Sequence, residues 1–345
     1  MPERLIESEG LLSRRSALAL LALAYPAGAV VGREIGPFEN AWLDSEALSK
    51  LIPSLSVPSQ DRLLRALNDS SLRGRIPAPD VESIAGSEVR AVDRLMVELL
   101  PIAQLRSQAP LSNFHVGAVV RGASGSLYLG ANLEVPGQVL GFTVHAEQSA
   151  VANAFMHDEG GIASIAITAA PCGHCRQFLN ELSNGADLKL VIQGRQPIKL
   201  ASLLPEAFGP DDLGVRERLF SGTKADLELT AKPSDELAAA ALEAASRSYA
   251  PYTKALSGVA ALSSTKTVYT GSYLENVAFN PSLSPLQAVL VGLIMAGEKP
   301  DNLSRVVLVE LQNAPISQRS ATQAVLEAIA PAARLERVSA RLKQE

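Results

Sequence analysis

The chain has 345 residues, which is enough for two domains of ordinary size. Hydrophobic residues make up 47% of it and charged residues 19%, as in a globular protein rather than a disordered or fibrous one. Acidic residues outnumber basic ones by 36 to 31, and no run of lysine and arginine exceeds two residues, so nucleic acid is not an expected partner.

Residues 1–44 are predicted to form a leader. The uncharged residues 16–32 follow Arg14 and Arg15, which resembles an export signal of the twin-arginine type. The stretch is too short, and too broken by Pro26, to predict a membrane span, and the glutamates before it are unusual for a signal. We therefore favour a weakly ordered extension or a misassigned start, and a cytoplasmic protein, with export left open.

The next segments are helical. Short helical patterns separated by polar breaks predict a small helical region at residues 45–86. A stronger pattern predicts one helix over residues 87–106, because Val92, Leu95 and Leu99 lie near helical spacing.

Residues 87–195 also carry strand-like and helical segments in alternation. The strand-like segments are HVGAVVRG, SLYLGANLE, SIAITAA and LKLVIQG. The helical segments are VHAEQSAVANAF and CRQFLNELSNG, the second predicted to end at Gly185. This alternation predicts an α/β domain with a partly parallel sheet. Residues 196–233 are predicted as a connector, and a further helix is expected to be capped by Ser234.

The second half of the chain repeats the first. RSQAPLS at residues 106–112 corresponds to RSYAPYT at residues 247–253. The same offset pairs Gly117 with Gly258, Tyr128 with Tyr269, Gly130 with Gly271, Leu133 with Leu274, and Glu134 with Glu275. Residues 234–345 are therefore predicted to be a second copy of the domain.

The chain's two cysteines, Cys172 and Cys175, lie in a PCGHC motif that opens a helix after a strand. Free N–H groups and the helix dipole at that place lower thiol pKa values, which suits a redox dithiol or a metal site equally. His145 and Glu147 begin another helix that follows a strand. If both helix starts meet, His145 and the two sulfurs can bind Zn²⁺, with the fourth position left for water.

Glu147 is then the candidate proton shuttle, because its carboxylate lies beside the ligands without being needed as one. The order H-x-E…P-C-x-x-C is the signature of zinc-dependent nucleobase deaminases. In the second copy, Ser284 and Leu286 stand at the positions of His145 and Glu147, while Ile316 and Arg319 replace the cysteines. One zinc ion per chain is therefore expected. The alternatives are a dithiol oxidoreductase and a zinc-containing nucleoside-binding protein without turnover.

Over most of its length, from about residue 51 to the C-terminus, the chain resembles cytidine deaminases of the two-domain homodimeric type. The stretches that carry this resemblance are LSNFHVGA, GANLE, VHAEQSA, PCGHCRQFLNEL, LLPEAFGPDDL and SYLENVAFNP. The resemblance implies a three-layer α/β/α domain with a mixed sheet, present as one catalytic and one degenerate copy. It also implies hydrolysis of cytidine and 2′-deoxycytidine to uridine and 2′-deoxyuridine in pyrimidine salvage, by zinc-activated water.

The resemblance also implies roles for individual residues. His145, Cys172 and Cys175 would bind zinc and Glu147 would move protons, while Asn132, Leu133 and Glu134 would hold the sugar, Phe114 would pack near the pyrimidine and Ala146 would meet the base. Ala278 and Phe279 would complete the pocket of a partner chain in the homodimer. The chain departs from the family pattern at His115 and at Ala169 and Ala170, where an altered pocket shape is expected.

Overall fold

A computed structural model describes residues 43–86, 89–222, 224–231 and 235–343. All but the last two residues of the predicted leader lie outside these ranges, as does Ser234. None of the helices within them is long and apolar enough to span a membrane.

The predicted small helical region contains three helices and a short strand. Asp44 caps the first helix by accepting a hydrogen bond from the Ala47 N–H at 2.7 Å. The elements are α1 (Ser45–Leu51), α2 (Val57–Asn68), β1 (Arg75–Ile76) and α3 (Ala78–Ala85). The strand extends the sheet of the first copy, so this region is part of that domain's structure.

The first copy is built on a sheet in the order β1-β3-β2-β4-β5-β6. Its strands are β2 (Gly117–Gly122), β3 (Leu127–Ala131), β4 (Ile162–Ile167), β5 (Lys189–Ile192) and β6 (Ile198–Lys199). Its helices are α4 (Val89–Glu98), α5 (Leu100–Gln104), α6 (Ala146–Met156) and α7 (Gly173–Leu179). Strands β4 and β5 pair in parallel and the other neighbours are antiparallel, so the sheet is mixed.

The second copy repeats this architecture with the order β7-β11-β10-β8-β9. Its strands are β7 (Leu227–Leu229), β8 (Ser257–Ser263), β9 (Val268–Ser272), β10 (Leu303–Leu311) and β11 (Arg334–Leu342). Its helices are α8 (Glu236–Ser246), α9 (Pro285–Met295) and α10 (Arg319–Ile329). The parallel pair, β10 with β11, corresponds to β4 with β5.

The repeated glycines explain how helices cover both faces of each sheet. A Cβ on Gly117 would lie 2.6 Å from the Leu100 carbonyl oxygen in α5, and a Cβ on Gly130 would lie 2.2 Å from the Ala150 nitrogen in α6. Gly117 pairs with Ala131, the neighbour of Gly130, so the two glycines face opposite sides. The first copy therefore has three layers, α/β/α.

The same arrangement holds in the second copy. A Cβ on Gly258 would lie 2.2 Å from the Ala245 nitrogen in α8, and a Cβ on Gly271 would lie 2.1 Å from the Pro285 carbonyl oxygen in α9. One apolar cluster includes buried residues of both copies, such as Leu129 and Leu290, so the copies share a core.

Three local predictions need correction. The single helix predicted over residues 87–106 is two helices, because Pro101 has no N–H to donate to the preceding turn. Gly185 does not end α7, which ends at Leu179; a Cβ there would lie 2.7 Å from the Asn180 carbonyl oxygen. Asp235 caps α8, accepting from the Ala238 N–H at 3.1 Å, whereas the prediction placed the cap at Ser234.

The predicted connector, residues 196–233, supplies a strand to each sheet.

Candidate metal centre and active site

The three predicted metal ligands lie at the starts of two helices. His145 is the residue before α6, and Cys172 is the residue before α7, with Cys175 in the first turn of α7. The chain enters His145 through a short pairing in which Leu133 and Val144 exchange backbone hydrogen bonds of 2.9 and 2.8 Å. Both helix starts face one point, because His145 Nδ1 lies within 3.5 Å of both sulfurs.

The separations between the three donor atoms fit zinc. His145 Nδ1 lies 3.5 Å from Cys172 Sγ and 3.2 Å from Cys175 Sγ, and the two sulfurs are 3.6 Å apart. A tetrahedral Zn²⁺ with ordinary bond lengths needs about 3.6 Å between nitrogen and sulfur and about 3.8 Å between sulfurs. Both cysteines are free, and the three residues form a group able to hold a metal ion. The donor set therefore fits zinc.

The thiols are electrostatically coupled. A hydrogen bond of 3.6 Å joins the two sulfurs, and this bond, together with the contact to His145, lowers the pKa of Cys172 to about 3. The same bond, with burial, raises the pKa of Cys175. Zinc is bound by thiolates, so metal binding releases the protons that the sulfurs still carry.

Glu147 lies in the first turn of α6 and is only 4% exposed. Burial raises the pKa of its carboxyl above the ordinary glutamate value. A raised pKa makes it easier for a carboxyl to hold a proton between accepting and releasing it, which is the property that a proton shuttle needs.

A cavity of about 240 Å³ opens beside the metal ligands. The predicted site residues on its wall are Phe114, Asn132, Glu134, His145, Ala146, Glu147 and Cys172. Ala169 and Ala170, where the chain departs from the family pattern, also line it, together with Ser112, Val116 and Thr143. Leu133, Cys175, Ala278 and Phe279 are not on the wall of this cavity; both backbone polar groups of Leu133 are used by Val144.

Asn132 is held by three hydrogen bonds. Its Oδ1 accepts from Ser107 Oγ at 2.6 Å and from the Val116 N–H at 2.9 Å, and its Nδ2 donates to the Phe114 carbonyl at 2.9 Å. Since a primary amide has two N–H donors, one donor of Nδ2 is left for a ligand.

Hydrogen bonds from the loop that contains Leu111 and Ser112 hold the Glu134 carboxylate. Its Oε2 accepts from the N–H groups of Leu111 and Ser112 at 2.7 and 3.1 Å, and its Oε1 accepts from Ser112 Oγ. Burial alone would raise the pKa of Glu134, but these hydrogen bonds lower it. Glu134 is therefore an ionised acceptor with lone-pair capacity remaining on Oε1.

Two residues that support Asn132, Ser107 directly and His115 through Ser107, were not predicted as site residues. Ser107 Oγ donates its one proton to Asn132, so its contact with His115 Nδ1 at 3.0 Å requires His115 to be the donor. A chain of hydrogen bonds thus runs from His115 through Ser107 to Asn132. The only signal in the sequence was the repeated RSxAP motif, which contains Ser107.

Two residues of α7 fix the turn that carries the cysteines. Arg176 Nε donates to the Pro171 carbonyl at 2.8 Å, and its Nη1 donates to the Leu203 carbonyl at 2.7 Å. Gln177 Nε2 donates to the Phe208 carbonyl at 2.8 Å. The LLPEAFGPDDL stretch therefore packs beside the candidate metal centre.

The second copy keeps the structural framework of the first but has other residues at the positions of the metal ligands and of Glu147. Glu275 accepts from the N–H groups of Tyr252 and Thr253 at 2.9 and 3.2 Å, as Glu134 does from its own loop. Ser284 caps α9, and Leu286 is fully buried. Helix α10 begins at Arg319, two residues later than the repeat places it relative to α7. Within the described ranges, His145, Cys172 and Cys175 are the one group with metal-binding geometry.

A larger cavity of about 450 Å³ contains none of the predicted site residues. Its basic side chains are engaged by carboxylates, Lys224 by Glu243 and Arg247 by Asp158. The smaller cavity, which contains the metal ligands, is therefore the candidate active site.

The chain is similar in sequence to known cytidine deaminases. Residues 90–188 and residues 200–323 each match a model described as the cytidine and deoxycytidylate deaminase zinc-binding region. The chain is 49% identical over 239 residues to a cytidine deaminase of Vibrio vulnificus, covering 69% of this chain and 80% of that protein. It is 42% identical over 289 residues to a cytidine deaminase of Pectobacterium atrosepticum, covering 84% of this chain and 94% of that protein. A crystal structure of cytidine deaminase from Mycobacterium tuberculosis is 30% identical, with a TM-score of 0.31, and covers 34% of this chain and 96% of that one.

Proposed function

The chain belongs to the cytidine deaminase family, and from this membership we propose that it hydrolyses cytidine and 2′-deoxycytidine to uridine, 2′-deoxyuridine and ammonia in pyrimidine salvage. The observation that carries the proposal is the meeting of His145, Cys172 and Cys175 beside a cavity that Glu147 also lines. The proposal divides the chain into a catalytic copy at residues 87–195 and a degenerate copy at residues 234–345.

We assign the zinc ion to His145 Nδ1 and the Sγ atoms of Cys172 and Cys175, one ion per chain. Zinc held there supplies a Lewis acid that lowers the pKa of a coordinated water towards ~7. Two thiolates neutralise the charge of the ion, and the imidazole adds none.

Glu147 performs the proton transfers. Its carboxylate removes a proton from the attacking water while the water oxygen bonds to C4 of the cytosine ring, and it delivers that proton to N3. It then carries the remaining hydroxyl proton to the amine as the C4–N bond breaks. Ammonia leaves and the carbonyl of uridine remains. The raised pKa of the buried Glu147 supports this alternation between base and acid.

Asn132 and Glu134 offer opposite hydrogen-bonding groups to the sugar. The free N–H of Asn132 Nδ2 can donate to a hydroxyl oxygen, and Glu134 Oε1 can accept from a hydroxyl proton. We assign Phe114 to pyrimidine packing and the backbone of Ala146 to the base, since both residues line the cavity.

We further propose that two chains form a homodimer in which Ala278 and Phe279 complete the partner's pocket. Phe279 is 62% exposed and does not line the cavity of its own chain. Phe114, on the cavity wall, is 61% exposed, and an aromatic ring at the mouth of a pocket leaves apolar area for a second chain to cover. Light scattering should give the mass of a dimer, and Phe279→Ala should raise the KM for cytidine without loss of zinc.

We also propose a cytoplasmic location. The free thiols at the candidate metal centre support it, because a reducing compartment keeps such thiols available for metal.

The decisive experiment follows the ultraviolet absorbance of cytidine and the release of ammonia by the purified chain. Turnover that a chelator abolishes and added zinc restores would support the proposal. Disulfide reduction that a chelator does not affect would instead indicate the dithiol oxidoreductase. Binding of cytidine without ammonia would indicate a nucleoside-binding protein.

A further inference from the structure

Glu181 is a fully buried carboxylate that the proposed mechanism does not use. It follows helix α7, which carries Cys175, by two residues. A carboxylate can remain buried only when hydrogen bonds replace the water that it has lost. The hydrogen-bond partners of Glu181 therefore indicate which part of the structure it holds in place.

All three groups that donate hydrogen bonds to the Glu181 carboxylate belong to the second copy. Its Oε1 accepts from the hydroxyl of Tyr249 at 2.7 Å and from the hydroxyl of Tyr252, and its Oε2 accepts from the Val277 N–H at 3.0 Å. Burial, together with the neighbouring carboxylate of Glu181, raises the pKa of both tyrosines, so both remain neutral donors. Glu181 therefore holds a segment of the second copy against the first.

The segment that Glu181 holds is the one that carries Ala278 and Phe279. Asn276 Nδ2 donates to the Gln177 carbonyl in α7 at 3.0 Å, and Asn276 Oδ1 accepts from the Ala278 N–H at 3.0 Å. The segment is thus attached next to Ala278 at two successive residues, Asn276 and Val277. Both attachments run to the part of the first copy that carries or directly follows the cysteine helix.

Phe279 has the conformation of a residue held in place. Its φ of 64° lies in the left-handed region, which a bulky residue adopts only when its surroundings impose it. Its ring lies 6.4 Å from that of Tyr252, which also donates to Glu181. The Phe279 side chain is nevertheless 62% exposed. The backbone is fixed while the ring is presented outward.

We propose that Glu181 is a positioning residue for the active site of the partner chain, because it fixes the segment at residues 276–280 from which Ala278 and Phe279 reach the partner's pocket. This inference rests on the homodimer of the proposed function. It assigns Glu181 an effect on the neighbouring chain's cytidine binding rather than on its own zinc ion.

The first test is Glu181→Gln, which keeps the volume of the side chain. The amide retains one acceptor oxygen, and its N–H₂ group must face either the Val277 N–H or the tyrosine hydroxyls. Losing one hydrogen bond to a buried charge should raise the KM for cytidine by about 10-fold, with kcat within about two-fold and one zinc per chain. Tyr252→Phe, a milder change to the same cluster, should raise KM in the same direction, and it serves as the test if Glu181→Gln does not fold.

The matched control is Glu159→Gln, because Glu159 is also a buried carboxylate that accepts from a tyrosine hydroxyl, that of Tyr128 at 3.0 Å. It has no contact with residues 276–280 among its hydrogen bonds, so it should lower stability and leave KM unchanged. An equal rise of KM in this control would show that the effect of Glu181→Gln is general destabilisation.

Mixed dimers decide between an effect on the partner's pocket and an effect on the chain's own pocket. A Glu147→Gln chain and a Glu181→Gln chain, carrying different tags, are co-expressed and the mixed species is isolated. The working pocket then lies in the Glu181→Gln chain and receives Phe279 from the chain whose Glu181 is intact, so KM should return to the wild-type value. A KM that stays high in a confirmed dimer overturns the inference alone. A chain that is monomeric by light scattering overturns both the inference and the proposed homodimer.

Discussion

Gln148 in the first copy and Gln287 in the second copy reach across to each other's domain through equivalent hydrogen bonds. Gln148 Nε2 donates to the Pro281 carbonyl at 3.0 Å, and Gln287 Nε2 donates to the Phe142 carbonyl at 3.1 Å. Helices α6 and α9, which carry the two glutamines, pack together. The two copies are thus related by an approximate internal two-fold symmetry.

The same glutamines also hold the residues that precede their helices. Gln148 Oε1 accepts from the His145 N–H at 3.2 Å, and Gln287 Oε1 accepts from the Ser284 N–H at 2.8 Å. A metal ligand is therefore connected through one side chain to the degenerate copy. This gives the second copy a role in the geometry of the active site although it has no ligands of its own.

Gln287→Met and Gln148→Met should separate these two roles. Each change removes the bond between copies and should lower the free energy of unfolding by about 1–3 kcal/mol, measured by urea denaturation. Gln148→Met also frees the His145 backbone and should lower zinc affinity or kcat by about 10- to 100-fold. Equal activities in the two variants would contradict a positioning role of Gln148.

Glu147→Gln should abolish proton transfer while leaving the metal centre intact. We expect one zinc per chain, an unchanged melting temperature within error or a higher one, and a loss of kcat of about 10²- to 10⁴-fold. The melting temperature should not fall, because the amide replaces a carboxyl whose burial already disfavours its charge. Turnover near the wild-type rate would show that another group moves the proton.

Metal removal should expose the two thiols to different extents. In the zinc-bound protein neither cysteine should react with a thiol reagent. After chelation, Cys172, which is exposed, should react before Cys175, which is fully buried. Mass spectrometry gives the order of modification, with zinc-reloaded protein as the control. Metal analysis showing two tightly held ions per chain would contradict the assignment of a single site.

The meeting of His145 with the two cysteines could be predicted from the sequence, because all three stand at helix starts that follow strands. A strand followed by a helix start predicts where His145 and the cysteines lie. The alternation of sides continues past the end of β3 at Ala131, through the bridge at Leu133, and places Asn132 and Glu134 on one side. The repeated glycines also marked real close approaches of backbones, at Gly130 for example.

Other features could not be predicted because they depend on contacts between distant segments. Glu181 lies 71 positions before Tyr252, and nothing in either local pattern indicates that the two side chains meet. Gly185 was interpreted as a helix end from its residue type, whereas its position reflects close packing against Asn180. The role of Ser107 depends on which side chains flank it in the fold, His115 and Asn132.

Ser107→Ala tests the hydrogen-bond chain that orients Asn132. The change removes the proton that Asn132 Oδ1 accepts and the acceptor of His115, so the amide can rotate and present the wrong group to the sugar. We expect a rise in KM of about 10-fold with kcat nearly unchanged, measured by steady-state absorbance. Ser248→Ala is the matched control, because Ser248 is the repeat equivalent of Ser107 and bonds instead to the Ala245 carbonyl. A similar KM change in both variants would indicate a general effect on folding.

Glu159→Gln tests the buried carboxylate that joins Ser124 and Tyr128. Glu159 accepts from the Ser124 N–H at 3.1 Å, from Ser124 Oγ, and from the Tyr128 hydroxyl at 3.0 Å. Burial alone would raise the pKa of Glu159, but these hydrogen bonds lower it below the ordinary value of 4.5. A lowered pKa means that the ionised group stabilises the fold above pH 4.5 and that this contribution is lost as the pH falls through the folded-state pKa.

The variant should therefore unfold more easily than the wild type at neutral pH, by about 1–3 kcal/mol in urea denaturation. The difference should shrink at acidic pH, below 4.5, as the wild-type carboxylate becomes protonated. The amide keeps the size of the side chain and never ionises, so its stability should show less dependence on acid over this range. A difference between the two proteins that stays constant from neutral to acidic pH would mean that packing at this position, and not the charge of Glu159, accounts for the loss.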